Sequence, residues 1–456
     1  MESIKFYLGL ISGKLASAYF SLRGNPNNDR PGILARKFDE DFMAKASKPE
    51  EVLLISGTNG KSSTTNIINS IYKLLDKKVA CNEAGNNTFA GESWTLLQAN
   101  NYFNKPIVDV VVMEADELYS RITFPQIKPT NLIITNLGRD SMFKNANPEV
   151  AYKSLDEALD KLIGTKVFLN ADDPLSCFLG KNNKKIYYGV SNIINDDANH
   201  ISNDFIVCPK CFHKVIYEYH NYRHIGKFRC PNCDLKSPNI DYLCTRISDK
   251  EITISHQHHE YDFPLISNTI YNIYNQVAVI AYFMEMGYSP ELIKSLLSKI
   301  KLPKIREEIN TVNDLKIIRR AMKGQNASAA STVLKSLSES DKNKEIILML
   351  DEIPDESAIE TISWIWDTDF EFLNNDSIKR IIVSGKRYLD HKVRLLTANV
   401  NPKILFTVEN DEQLYQYLDT NNIEELYILY DIMALKRSKK VMNKIIDDLK
   451  DNKHEN

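Results

Sequence analysis

The heptapeptide Gly57-Thr58-Asn59-Gly60-Lys61-Ser62-Ser63 stands between a strand-like run, Glu51-Val-Leu-Leu-Ile-Ser56, and an apolar-periodic run from Thr64 to Leu75. A strand, a glycine-rich turn and a helix in that order form a cradle for phosphate. The glycines let backbone N–H groups turn inward onto phosphate oxygens, and the helix N-terminus adds its dipole. Lys61 can reach the terminal phosphates, and a hydroxyl of Ser62 or Ser63 can hold Mg²⁺. The general pattern GxxxxGK[ST] has another glycine where this chain has Ile55. An ordinary strand–helix turn followed by a lysine is the competing explanation, and the strand–turn–helix context weighs against it.

Carboxylates and amides recur at the ends of the neighbouring strand-like runs. Glu114-Ala-Asp116-Glu117 follows Val108–Met113, Asn136 and Asp140 follow Asn131–Thr135, and Asn170-Ala-Asp172-Asp173 follows Lys166–Leu169. A carboxylate just past a strand, beside a phosphate loop, is a natural second ligand for Mg²⁺, and Glu114 is placed for it. Taken singly, each cluster reads as a turn. Together they point to a nucleotide crevice at the strand ends.

A different chemistry is written in Cys208-x2-Cys211 and Cys230-x2-Cys233, two knuckles separated by eighteen residues. Four thiolates at that spacing can close a tetrahedron around Zn²⁺. Cys81, Cys177 and Cys244 are scattered, and burial as small apolar side chains is their expected role.

Apolar periodicity gives the elements that must position these groups. The first 50 residues read as helix, a polar turn at Gly24–Asn28, and more helix. Strand-like and helical runs then alternate, which predicts a parallel sheet covered on both faces. Residues 200–245 break the pattern and read as a zinc ribbon inserted into that α/β domain. From Asn268 to Lys301 the period is helical again. A boundary is expected near Leu302-Pro303, and further alternation beyond it predicts a second, Rossmann-like α/β domain. The expected organisation is therefore a helical lead-in (1–50), an ATP-binding domain with the ribbon (51–302) and a C-terminal α/β domain (303–456).

The whole chain of 456 residues, with 43% hydrophobic and 26% charged residues, is long enough for several packed cores. Fifty-seven basic against sixty acidic side chains exclude nucleic-acid binding by bulk charge. Met1–Phe20 is interrupted by Lys5, Gly9, Gly13 and Lys14, so it reads neither as a membrane span nor as a secretory signal. A cytoplasmic protein is expected.

The blocks GTNGKSS, MEADE, TNLGRD, LNADDP and YNIYN, in that order, resemble the ATP-binding core of the Mur ligases. The resemblance covers nearly the whole chain. The segment CPKC…CPNC and the later SWIWDTDFE narrow it to the branch that forms the ligase-like subunit of lipid II isoglutaminyl synthase. It implies a Mur-ligase-like central domain carrying an inserted four-cysteine zinc ribbon and followed by a C-terminal α/β domain. It also implies a reaction. ATP phosphorylates the α-carboxylate of D-glutamate in the lipid II stem peptide, and ammonia displaces the phosphate to give D-isoglutamine. By matching motif, Gly57 to Ser63 and Asn136 would contact ATP, with Ser62 and Glu114 on Mg²⁺. Asn272 and Asn275 would face the nucleotide, Asp172 its ribose, and Arg306 and Glu308 would open the C-terminal domain at the site.

The chain carries no evident glutaminase: none of its spare cysteines lies in a nucleophile turn beside a histidine. His213, His220 and His224, between the knuckles, read as spare zinc ligands or exposed polar groups. The resemblance implies that a separate subunit, a GatD-like glutaminase, supplies ammonia, and that this chain lends the partner's Cys–His pair an aspartate. Asp351 or Asp355 of Asp351-Glu-Ile-Pro-Asp355 keeps the family spacing, and Asp367 is the third candidate. Several loops depart from the family: Met322-Lys-Gly-Gln-Asn326 replaces Leu-Ala-Lys-Asn-Pro, and Ile305 stands where a glycine is usual. Two rival functions remain, another Mur-type amino-acid or folylpolyglutamate-like ligase, and a non-catalytic ATP-binding scaffold.

Overall fold

The computed structural model describes residues 2–25, 28–83, 85–139, 147–193, 200, 204–300, 307–322, 326–350, 362–431 and 433–451. Two compact units emerge. The first comprises Met1–Gly138, Asn147–Ala198 and Asn203–Leu302, the second Arg139–Ala146, Asn199–Ser202 and Pro303–Asn456.

The first unit opens with three helices, α1 (Glu2–Leu22), α2 (Arg30–Phe38) and α3 (Phe42–Lys45). Strands and helices then alternate: β1 (Glu51–Ser56), α4 (Lys61–Leu74), β2 (Val79–Cys81), α5 (Phe89–Ala99), β3 (Val110–Glu114), α6 (Ser120–Ile127), β4 (Asn131–Ile134), α7 (Pro148–Leu159), β5 (Lys166–Asn170) and β6 (Lys185–Val190). A hairpin of β7 (Ile216–Tyr222) and β8 (Ile225–Arg229) interrupts the sheet, which resumes with β9 (Tyr242–Ile247), β10 (Glu251–His256) and β11 (His259–Pro264). Helices α8 (Ile270–Glu285) and α9 (Pro290–Leu297) close the unit.

Nine strands form one sheet in the order β11-β10-β9-β6-β5-β4-β1-β3-β2. It is parallel from β2 to β9, and the last two strands run antiparallel. The wholly parallel sheet expected from the alternation is thus corrected at one edge, where two tight turns replace crossover helices. Successive strand residues face opposite sides. Leu53, Ile55, Val112, Ile133 and Phe168 join the core beneath α4 and α8, while Val52, Leu54, Val111, Leu132 and Val167 join the core on the side of Phe6, Leu96, Phe124 and Leu155. Burial on both faces is why these strands read as continuous apolar runs.

The ribbon is shorter than its expected bounds of 200–245. Tyr242 already pairs in parallel with Tyr188, so β9 belongs to the main sheet.

In the second unit, six strands pair in the order β12-β13-β17-β14-β15-β16. They are β12 (Glu307–Val312), β13 (Leu315–Ala321), β14 (Lys344–Met349), β15 (Ile378–Ser384), β16 (Leu405–Val408) and β17 (Glu425–Tyr430). Helices α10 (Ala327–Ser338), α11 (Ser363–Asp367), α12 (Tyr388–Thr397) and α13 (Leu435–Asp451) accompany them. All pairings are parallel except β12 with β13. Alternate residues again fill two cores, Ile346 and Leu348 in one, Ile347 and Met349 in the other.

Candidate functional site

The phosphate loop leaves β1 and enters α4, whose first helical residue is Lys61. Gly60 takes a positive φ of 91°, and a Cβ there would lie 2.3 Å from Oδ1 of Asn275. Glycine is therefore required twice, by backbone conformation and by the close approach of α8. The first-turn N–H groups of α4 have no partner within the helix and form a ready anion site.

Around this loop the strand ends converge. Asn136 holds it on one side: its backbone oxygen accepts from Thr58 N at 2.8 Å, its Oδ1 from Asn59 N at 3.2 Å, and its Nδ2 donates to Asn59 O at 2.9 Å. Thr58 Oγ1 also donates to Gly138 O and accepts from Gly138 N. On the other side, Ser62 Oγ donates to Glu114 Oε2 at 2.6 Å. Lys61 is buried, bonded to the Gly57 carbonyl and paired with Glu117 Oε2 at 3.1 Å. Ser63 is half-buried on the same first turn.

Glu114 is held by partners that sequence reasoning missed. Asn87 Nδ2 donates to its Oε1 at 2.9 Å, and the Asn82 side chain bonds both its backbone N and its backbone O at 2.8 Å. These residues come from the loop after the short β2, where the run Asn82, Asn86, Asn87 is a visible signal. Glu117 is the other omission. Its carboxylate pairs with Lys61.

Asn275 is buried against the loop and donates weakly to Asn272 Oδ1, while Asn272 bonds Ser267 and Thr269. Asp172, expected at the ribose, is wholly buried instead. Its Oδ2 accepts from Val190 N at 2.9 Å and from Tyr274 Oη at 2.7 Å, and burial raises its carboxyl to about 6 against those bonds. In this structure it ties α8 to the sheet. Arg306, Asp140, Asp351 and Asp355 lie outside the described residues. Asp367 ends α11 and pairs with Arg139 of the same unit at 3.0 Å. Glu308 lies on β12 beside Arg319 and Lys439, and Asn326 caps α10 by accepting from Ala329 N at 2.8 Å.

The four cysteines converge. Their sulfur atoms all lie within 4.8 Å of one another, with Cys208–Cys233 at 3.6 Å and Cys211–Cys230 at 3.4 Å. Tetrahedral Zn²⁺ with Zn–S of about 2.3 Å places sulfurs about 3.8 Å apart, so this donor set fits the ion. All four cysteines are free thiols, packed on Phe205, Val215, Phe228 and Leu235.

His224, expected as a spare ligand or an exposed group, is neither. It is buried at the hairpin turn, with Nε2 2.9 Å from the Leu137 carbonyl and 3.5 Å from Asp173 Oδ1. The carbonyl can only accept, so Nε2 carries the proton. Burial disfavours the imidazolium, but the Asp173 and Asp204 carboxylates outweigh it and raise the His224 pKa. Asp173 Oδ2 accepts in turn from Leu137 N at 2.7 Å. The ribbon hairpin is thereby joined to the segment that carries Asn136. His213, at a knuckle, is exposed as expected.

A phosphate loop flanked by a carboxylate and an asparagine, at the strand ends of a parallel sheet, defines a nucleotide-binding protein of the phosphate-loop class. Residues 55–283 match the Mur ligase middle domain family, and the chain belongs to the Mur ligase family. Membership makes it an ATP-dependent ligase by class and implies ATP and Mg²⁺. The particular branch is indicated by residues 324–435, which match the MurT ligase C-terminal family. Over 438 residues the chain is 27% identical to the subunit MurT of lipid II isoglutaminyl synthase (glutamine-hydrolyzing) from Streptococcus pneumoniae, covering 95% of this chain and 96% of that protein. The MurT subunit of Staphylococcus aureus (strain COL) is 27% identical over 404 residues, covering 87% and 89%. Among solved structures, the pseudomurein peptide ligase type C of Methanothermus fervidus shares the fold at a TM-score of 0.66 and 21% identity, covering 92% of this chain and 85% of that one.

Proposed function

We propose that this chain is the ligase subunit that amidates the α-carboxylate of D-glutamate in a lipid-linked peptidoglycan precursor, using ammonia from a separate glutaminase. What carries the proposal is the joint presence in one chain of the Mur ligase phosphate-loop site and the MurT-type C-terminal family. The protein would act in the cytoplasm, at the inner face of the membrane. Among the described residues no helix is long and apolar enough to cross it.

A carboxylate is a poor electrophile, so the reaction is divided. The γ-phosphoryl group of ATP passes to the carboxylate oxygen, giving an acyl-phosphate and ADP. Ammonia then attacks the acyl carbon, the C–O bond to phosphate breaks, and the amide and inorganic phosphate leave. The first step needs charge stabilisation and alignment more than an acid–base pair. Lys61 and the α4 N-terminus face the phosphates, and Asn59, Asn136 and Asn275 shape the loop around them. Ser62 and Glu114 would hold Mg²⁺, which would supply positive charge against the phosphates. In the four-cysteine ribbon Zn²⁺ would be structural, because four thiolates leave no open position.

The glutaminase is expected to be of the GatD type, with its histidine oriented by Asp351 or Asp355, or failing both by Asp367. A carboxylate on the far nitrogen fixes the tautomer and stabilises the imidazolium. The proposal is tested by incubating the protein with lipid II, ATP and ammonium and following conversion of the carboxyl to carboxamide by mass spectrometry, together with ADP release. Amidation with ammonia supports it. Ligation of an amino acid in preference to ammonia would refute it, as would folded protein that binds ATP and amidates nothing.

A further inference from the structure

A continuous apolar surface among the described residues lies on α1. Ile4, Leu8, Ile11, Leu15, Tyr19 and Leu22 recur at intervals of three and four, so they form one stripe along the helix. All six are exposed, Leu22 by 89%, Ile4 by 63% and Leu15 by 60%. Single exposed apolar side chains are ordinary, whereas a stripe over five turns marks a surface that meets something apolar.

Packing of the opposite side fixes the stripe outward. Phe6 and Leu10 are buried in the core of the first unit. A Cβ on Gly9 would lie 2.6 Å from the Ala35 carbonyl oxygen, and one on Gly13 would lie 2.8 Å from Leu97 Cδ1. The helix therefore sits too close to its neighbours to roll, and Lys14 Nζ secures it by donating to Leu97 O at 2.9 Å.

Charge indicates the occupant. The span from α1 to α2 carries Lys5, Lys14, Arg23, Arg30, Arg36 and Lys37 against Glu2 and Asp29, in a chain whose net charge is −3. Lys5, Arg23, Arg30 and Lys37 are exposed, and Arg23 lies over the Tyr19 ring. An apolar face bordered by long basic side chains matches an anionic bilayer surface: the stripe enters the acyl boundary and the cations remain at the headgroups. No acidic residue interrupts the stripe.

We infer that α1 is an interfacial helix that seats the first unit on an anionic membrane, through Ile4, Leu8, Ile11, Leu15, Tyr19 and Leu22, with Lys5 and Arg23 on phosphate headgroups. The inference rests on the lipid-linked acceptor proposed above, which is presented at such a surface. Holding the enzyme there confines its search for substrate to two dimensions.

The test is co-sedimentation of the full chain with vesicles of phosphatidylglycerol and phosphatidylethanolamine, and with vesicles of phosphatidylcholine alone. The parent should bind the anionic vesicles, less so as salt rises. Ile11→Glu with Leu15→Glu should weaken binding by roughly tenfold or more, since two apolar insertions are lost and two like charges gained. Ile163→Glu, a control at an exposed isoleucine off the stripe, should bind as the parent does. Lys5→Glu with Arg23→Glu, exposed on α1 and just past its end, serves if the first pair fails to fold, and should also lose binding.

No parental binding, or binding unchanged in both double variants, overturns the inference. A change of oligomeric state in the stripe variant without vesicle binding overturns it too, and assigns the face to a second copy. Amidation of a soluble analogue with a truncated lipid separates the two proposals. Activity on the analogue without vesicle binding leaves the function standing and removes the membrane surface. Vesicle binding with no amidation does the reverse.

Discussion

Ser62 Oγ and Glu114 Oε2 are joined by a 2.6 Å hydrogen bond, from the first turn of α4 to the end of β3. These are the two groups that would ligate Mg²⁺. Asn87 and Asn82 fix Glu114 from behind, so its carboxylate is held beside the Ser62 hydroxyl.

Removing either ligand should therefore raise the Mg²⁺ requirement more than it disturbs folding. For Glu114→Gln the half-saturating Mg²⁺ concentration in ADP release should rise about tenfold or more, because a charged ligand is lost. Lys61→Ala should lower turnover by about 10²-fold or more, since its charge matters most as the phosphoryl group moves. Phosphate release by folded Lys61→Ala at the parental rate would remove Lys61 from the mechanism.

Elemental analysis should find about one zinc per chain, and none after Cys208→Ser with Cys230→Ser. The ribbon gathers a small core around Phe205 and Phe228, which rests on Cys177, Phe178 and Tyr187 at the margin of the main sheet. Loss of metal should consequently open the segment 205–237 to protease while the circular dichroism of the sheet persists. Retained zinc in the double variant would refute the site.

Glu92 gives a pH signature. It is fully buried on α5, with a 3.3 Å bond from Thr123 as its contact and no hydrogen bond to Oε2 among the described residues. Burial pushes its carboxyl up to about 8 from the ordinary 4.5. Between these values the unfolded chain ionises while the folded one keeps its proton, so stability falls as pH rises from 4.5 to about 8 and levels off above. Glu92→Gln should remove that component, and parent and variant should diverge by up to ~1.4 kcal/mol per pH unit in the window. Parallel unfolding curves for the two proteins across it would show that Glu92 ionises normally.

At the glutaminase boundary, Asp351→Asn or Asp355→Asn should abolish glutamine-dependent amidation by the reconstituted complex while amidation from ammonium persists. The distinction follows because the aspartate acts on the partner's histidine and not on ATP chemistry. If both variants use glutamine at the parental rate, Asp367→Asn is the remaining experiment, and its ion pair with Arg139 makes a stability control necessary.

The sequence by itself determined whatever is written in short spacing. Gly57–Ser63 between a β run and a helix defined the phosphate loop, and two CxxC knuckles gathered at one point because each brings its own tight turn. Double-sided burial made the core strands legible as apolar runs. Contacts between distant segments were decided by tertiary structure alone. Nothing local tells that β9 leaves the ribbon for the main sheet, that β10, β11 and β12 run antiparallel, or that Asp172 turns inward to Tyr274 while Glu114 faces Ser62. The same holds for His224, fifty-one residues beyond Asp173 in the chain yet 3.5 Å from it. Periodicity specifies which side of an element is apolar. Strand order and register decide which polar side chains meet, and those are set by packing over the whole unit.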